Sequence, residues 1–253
     1  MKKIKGLATF VSFILFISFI SFIPHDALAQ SMTVDLANTS GGTASARLIQ
    51  LIAVMTIISL APSILIMMTS FMRIVIVLSF LRSALGLQQT PPNAVLVSLA
   101  LFLTAFIMAP AFEQAYNDGV QPLLEEEIDE KQALERIGAP FHEFMMAHVR
   151  EKDLELFVSM SKDVEIEKPE DTPFRILIPA FMISELKRAF EIGFLIFIPF
   201  VVIDMLISSI LMAMGMMMLP PVMISLPFKL IFFVLVDGWY MICGSLIKSF
   251  GTV

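Results

Sequence analysis

Apolar residues run along this chain in long, nearly uninterrupted blocks rather than at the two- or three-residue spacing of a half-buried surface. Four such blocks stand out: Leu48 to Met68, Ala94 to Phe112, Phe190 to Met214 and Phe228 to Ile247. Each approaches the ~20 residues needed to cross a ~30 Å hydrocarbon layer, so the pattern predicts an all-α, membrane-associated protein. Between the second and third blocks the pattern changes. From Glu113 to Thr172 the chain holds 17 of its 23 Asp and Glu residues but only 6 of its 17 Lys and Arg residues. Leu123, Leu124, Ile128 and Leu134, then Phe141, Phe144, Met145 and His148, recur there at helical spacing, predicting an acidic insertion of two or three short amphipathic helices. Glu125, Glu126 and Glu127 are expected on a solvated helix face near an N-terminus, where the backbone dipole favours acids.

Composition agrees with this reading. The 253 residues are 57% hydrophobic and 16% charged, with a mean hydropathy of +0.85, well above soluble domains. A net charge of −6 supplies no basic face for phosphates, so no nucleic-acid partner is expected. Cys243 is the sole cysteine, which leaves no intrachain disulfide or cysteine metal cage and suits an inert packing thiol. No phosphate loop, zinc-binding helix, nucleophile elbow or histidine pair at ligand spacing is present. No catalytic residue, metal or cofactor is therefore expected. An intramembrane hydrolase lacks a legible nucleophile and base.

The first residues resemble a secretory signal: a basic start at Lys2, Lys3 and Lys5, an apolar core from Leu7 to Ile23, and Ala27 and Ala29 before a cleavage at Gln30. An uncleaved anchor is the alternative. The chain then divides into residues 1–29, a short segment 30–46, a first hydrophobic helical hairpin 47–112, the acidic insertion 113–172, and a second hydrophobic hairpin 173–253. The segment after the first block carries Arg73 and Arg82 without an acid, which reads as a cytoplasmic loop and puts the insertion outside.

Charges inside apolar blocks are the candidate chemistry. Asp204 and Asp237 lie in the third and fourth blocks, Arg73 interrupts a run, and Glu185, Lys187, Arg188 and Glu191 cluster before the third. A charge at a helix centre costs about 2.5–3.5 kcal/mol on insertion scales, so these groups need protein or water around them. Glu185 with Arg188, three apart, and Lys187 with Glu191, four apart, can pair along one helix, and pairing with a neighbouring subunit is the other reading. Arg73, Asp204 and Asp237 are read as buried polar contacts. A proton relay through the two aspartates is the competing function, although no inverted repeat accompanies it. Pro179 and Pro199 are expected to kink the long helix they occupy.

Residues 211–229, LMAMGMMMLPPVMISLPFK, place six methionines beside Pro220 and Pro221. The prolines predict a turn. Methionine stripes usually fill gaps in a core, and that is the plain reading here.

Four stretches change the weighting. They are TSFMRIVIVLSFLRSALGLQQTPPNAVLVSLALFLTAFIMAPAF from Thr69, PAFMISELKRAFEIGF from Pro179, PFVVIDMLISSILMAMGMMMLPPVMISLPFKL from Pro199, and LVDGWYMICGSLIKSF from Leu235. Together they resemble the FliP family of flagellar proteins and its injectisome relatives, core parts of the type III protein export gate. Met72, Ser83 and Leu87 stand where more polar residues are expected in flagellar members. The signal and the acidic insertion favour the flagellar branch over the injectisome branch.

The resemblance implies several copies of the chain assembled with FliQ and FliR into a helical, multi-subunit pore. That pore would work with FlhA and FlhB to pass unfolded flagellar subunits across the bacterial inner membrane at the basal body. It also implies that much of the apolar helix packs within the assembly, toward the periplasm. On this basis Gly215, Met216, Met217 and Met218 are expected to form a deformable collar that seals the pore, since methionine adapts to varied partners and an apolar constriction can close by dewetting. Met212, Met214 and Met223 are left to packing.

Overall fold

A computed structural model describes residues 44–161, 171–216 and 218–251. The signal reading with Ala27 and Ala29, most of segment 30–46, and Met217 lie outside the described residues. Every regular element among the described residues is helical: α1 (Ala44–Met67), α2 (Phe71–Ala84), α3 (Asn93–Ala115), α4 (Gln121–Leu124), α5 (Glu130–His148), α6 (Glu151–Met160), α7 (Phe174–Ala213), α8 (Pro221–Leu235) and α9 (Gly238–Lys248). A π-helical turn, Tyr116–Val120, joins α3 to α4. Among the described residues two runs are long and apolar enough to cross a bilayer, residues 93–124 and Phe174–Ala213, with a third if the bent pair α8–α9 counts as one span. This is an all-α membrane protein.

α7 organises the rest. At 40 residues and 1.5 Å per residue it is about 60 Å long, roughly twice the hydrocarbon thickness. It runs unbroken through Pro179 and Pro199. Its first half is packed by protein, with Leu177, Ala180, Phe181, Ser184, Glu185 and Ala189 fully buried. Its second half exposes Phe194, Leu195, Met205, Leu206 and Ile210 while Phe200 and Leu211 stay buried.

α2 lies against α7 and buries one continuous stripe, Arg73, Ile74, Val77, Leu78, Leu81 and Ala84, at the spacing of one helix face. Phe80 meets Phe190 edge-on at 4.9 Å, and the close approach is possible because position 193 is glycine: a Cβ there would come within 2.5 Å of the Phe80 ring. α3 completes this core through Leu96, Ala100 and Ile107. The insertion packs separately on α3 and α7 through Phe141, Met145, Leu177 and Phe181. α5 begins where the Asp129 side chain accepts a bond from the Gln132 backbone N–H at 2.7 Å, a standard N-cap.

The architecture corrects three expectations. Residues 71–84, read as a cytoplasmic loop because of Arg73 and Arg82, form the buried helix α2. Arg73 is only 1% exposed, its charge met by a partner far away in sequence. The expected first hairpin therefore contains three helices, α1, α2 and α3. Glu125, Glu126 and Glu127 sit in the turn between α4 and α5, not on a helix face. Glu126 adopts φ 59, a left-handed setting that ends the preceding helix.

Candidate functional site

α7 and α8 form a hairpin whose tip carries the methionine-rich turn. The stop is built at Gly215. It takes φ 73 just past the end of α7, its N–H bonds to the Met212 carbonyl at 3.0 Å, and the Met216 N–H bonds to the Leu211 carbonyl at 2.9 Å. That pair of bonds is the Schellman closure, which favours a glycine at the left-handed position. Gly215 thus ends the helix, and no atom lies within 4 Å of where its Cβ would be. Pro220 and Pro221 lie on the far side of this turn and do not themselves stop α7. They start α8, Pro220 as its N-cap residue and Pro221 as its first helical residue, where a missing N–H leaves nothing unsatisfied.

The methionines described at this turn are exposed. Met216 is 47% exposed, Met214 59% and Met218 98%. Met212, Met216 and Leu219 with Ser208, Leu211 and Pro221 line a shallow cavity at the base of the turn.

A polar brace holds the hairpin together below its tip. Asp204 on α7 accepts from Lys229 Nζ at 2.6 Å and from the Ser225 hydroxyl. Ser225 and Lys229, four apart on α8, share the helix face turned to α7. Lys229, 3% exposed, also donates to the Ala84 carbonyl at 3.3 Å, placing a cation at the C-terminal end of α2 where the helix dipole favours it. One ammonium thus ties three helices.

The second polar centre is deeper. Arg73 on α2 donates through Nε and Nη2 to both carboxylate oxygens of Glu185 on α7, the two-pronged arrangement that suits a guanidinium. Its Nη1 donates to Ser249 Oγ at 2.9 Å, and its Cζ lies 3.8 Å from the centre of the Phe250 ring. Both charged side chains are buried. The neighbouring Ser184 donates to Asp153 Oδ2 at 2.6 Å and accepts from the Arg150 backbone N–H at 3.1 Å, fastening α6 to α7.

Asp153 is itself held by Arg150 through Nε at 2.8 Å and Nη2 at 2.7 Å. Burial alone pushes the Asp153 carboxyl upward, but hydrogen bonds from Ser184 and Arg150 and the charges of Arg150 and Lys187 outweigh it and hold it below the usual carboxylate range.

The sequence-predicted residues therefore fall into different settings. Arg73 and Glu185 meet each other, which corrects the pairing of Glu185 with Arg188; Arg188 forms no ion pair among the described residues. Lys187 and Glu191 lie 3.6 Å apart at the surface. Asp204 has partners inside the hairpin. Asp237 does not: it is exposed, with φ 50 and no capping bond from its side chain, at the 62° bend between α8 and α9. It is a left-handed turn residue, a conformation aspartate tolerates, and not a buried polar contact. Among the described residues no group of three or more His, Cys, Asp or Glu side chains is placed to hold a metal.

Lys229, Ser225, Ser184, Asp153, Ser249 and Phe250 carry these centres and were not singled out from the sequence. Ser225 and Lys229 leave one trace there, two polar residues four apart in an otherwise apolar helix. The others leave none.

Comparison with known proteins follows the same stretches. The FliP family model matches residues 54–246. The chain is 57% identical over 228 residues to the flagellar biosynthetic protein FliP of Caulobacter vibrioides, covering 90% of this chain and 85% of that relative. It is 55% identical over 202 residues to the protein of the same name from Bacillus subtilis, covering 80% and 91%. With that of Agrobacterium fabrum it shares 51% identity over 231 residues, covering 90% and 94%.

Proposed function

Because the chain belongs to the FliP family, we propose that it is a core pore-forming subunit of the flagellar type III protein export gate. In this reading several copies assemble with FliQ and FliR and work with FlhA and FlhB. They pass unfolded flagellar subunits across the inner membrane. A role in flagellar export follows from the family, and the flagellar names of its relatives favour the flagellar over the injectisome branch.

The observation that carries the pore reading is the turn between Gly215 and Pro220. Met216, Met218 and Leu219 are exposed there, on a tip above the Asp204–Lys229 brace. Repeated around an axis, Met216, Met217 and Met218 make an apolar collar. It closes against ions by dewetting when empty and deforms around passing chains of unrelated sequence, because methionine is unbranched and polarizable. The proton-coupled alternative is weakened by Asp204, whose carboxylate is charge-paired with Lys229 and bonded to Ser225.

Replacing Met216, Met217 and Met218 together by alanine tests the proposal. Ion conductance of the inner membrane should rise while export of flagellar subunits persists. An unchanged conductance in cells that still export overturns the collar.

A further inference from the structure

The two main helices of the acidic insertion meet at Val149–Arg150, and each side of that joint grips a different part of the core. On the α6 side, Asp153 is bonded to Ser184. On the α5 side, His148 turns one ring nitrogen to the Phe144 carbonyl at 2.8 Å and the other to the Phe250 carbonyl at 3.3 Å. The His148 and Phe250 rings lie 5.2 Å apart, and Phe144 stacks on Phe250 at 5.9 Å. Phe250 follows α9 in a turn, outside any helix, yet is 3% exposed.

The other side of that turn faces the buried ion pair. Arg73 carries five N–H donors, and Glu185 engages Nε and Nη2 only. Ser249 takes Nη1, and the Phe250 ring covers the guanidinium face. A buried guanidinium whose remaining N–H donors go unpaired loses to desolvation much of what its carboxylate returns, and an aromatic face laid over the desolvated cation recovers some of it. Phe250 therefore serves two neighbours at once: its ring packs against the insertion and lies over the buried cation. Groups that share such a partner are energetically coupled, with effects that do not add.

We propose that the Ser249–Phe250 turn is a positioning element, through which docking of the acidic insertion and the buried Arg73–Glu185 pair stabilise each other. Displacing the turn frees α6, although no residue of the turn touches α6's own bond to Ser184.

Hydrogen exchange of the full chain in detergent micelles tests this, read at the amides of α6. Phe250→Leu keeps an apolar side chain but removes the ring face, and α6 exchange should rise at least tenfold. Phe250→Tyr keeps the face and should hold α6 within about threefold of the native rate. Phe233→Leu, a buried phenylalanine in the α2–α7–α8 core, should leave α6 unchanged. A native α6 rate in Phe250→Leu, or an equal rise in Phe233→Leu, overturns the proposal.

Should Phe250→Leu fail to fold, His148→Ala and Ser249→Ala retain the ring and read the coupling directly. Acting through one turn, the double variant should raise α6 exchange by clearly less than the product of the two single effects. A simple product overturns the coupling.

Discussion

Ser184 and Glu185 are consecutive residues of α7 whose side chains leave the helix about 100° apart and fasten different parts of the molecule. Ser184 holds Asp153 of the insertion, and Glu185 holds Arg73 of α2. Turning α7 about its axis breaks both contacts together, so this step sets the helix's rotational position.

Removing one member of the Arg73–Glu185 pair leaves the other charge buried and uncompensated. Glu185→Leu and Arg73→Met should each destabilise the protein by about 3–5 kcal/mol. The double variant, with no charge to strand, should lose less than either single one. Chemical unfolding of the three purified proteins in detergent decides this.

In the hairpin brace the two partners differ in exposure. The Lys229 side chain is 4% exposed and that of Asp204 30%, so the carboxylate is part-exposed and the ammonium is buried. Asp204→Leu should therefore cost about 3–5 kcal/mol and Lys229→Met about 1–2 kcal/mol, measured in the same way. Equal costs would mean that the two partners are equally buried.

The latch to the insertion responds to acid. Since the Asp153 carboxyl is held below its ordinary value near 3.8, the unfolded chain takes up the proton first as pH falls. The stabilisation is complete above the unfolded value and is lost as pH drops through the lowered folded value. Exchange of the α6 amides should accelerate as pH falls below about 4, after correction for the intrinsic pH dependence of exchange. Asp153→Asn should flatten that profile.

The stop at Gly215 is conformational. With open space around the missing Cβ, substitution meets no clash, only the penalty of φ 73. Gly215→Asn should cost a few tenths of a kcal/mol and Gly215→Val about 1–2 kcal/mol. Asp237, at φ 50, should follow the same order, with Asp237→Asn exporting normally and Asp237→Val impaired. Loss of export in Asp237→Asn would restore the proton-relay reading.

What could be read from the chain alone was what local pattern controls. Block hydropathy marked the apolar helices and acid density marked the insertion. Helical periodicity placed its helices, and four stretches pointed to the family. Each signal lies within a few turns of the residues it describes. The stop at Gly215 was local too, though overshadowed by the louder Pro220-Pro221.

Partner choice was different. Glu185 has a correctly spaced cation at Arg188, and spacing cannot show that Arg73, 112 positions away, takes the carboxylate instead. Lys229 is lost in an apolar block until α8 folds against α7 and presents it to Asp204. A charge in a greasy segment reveals by itself only that it needs a partner, because its desolvation is a property of that residue. Which partner meets that need depends on helices brought together by packing, and only the tertiary structure settles it.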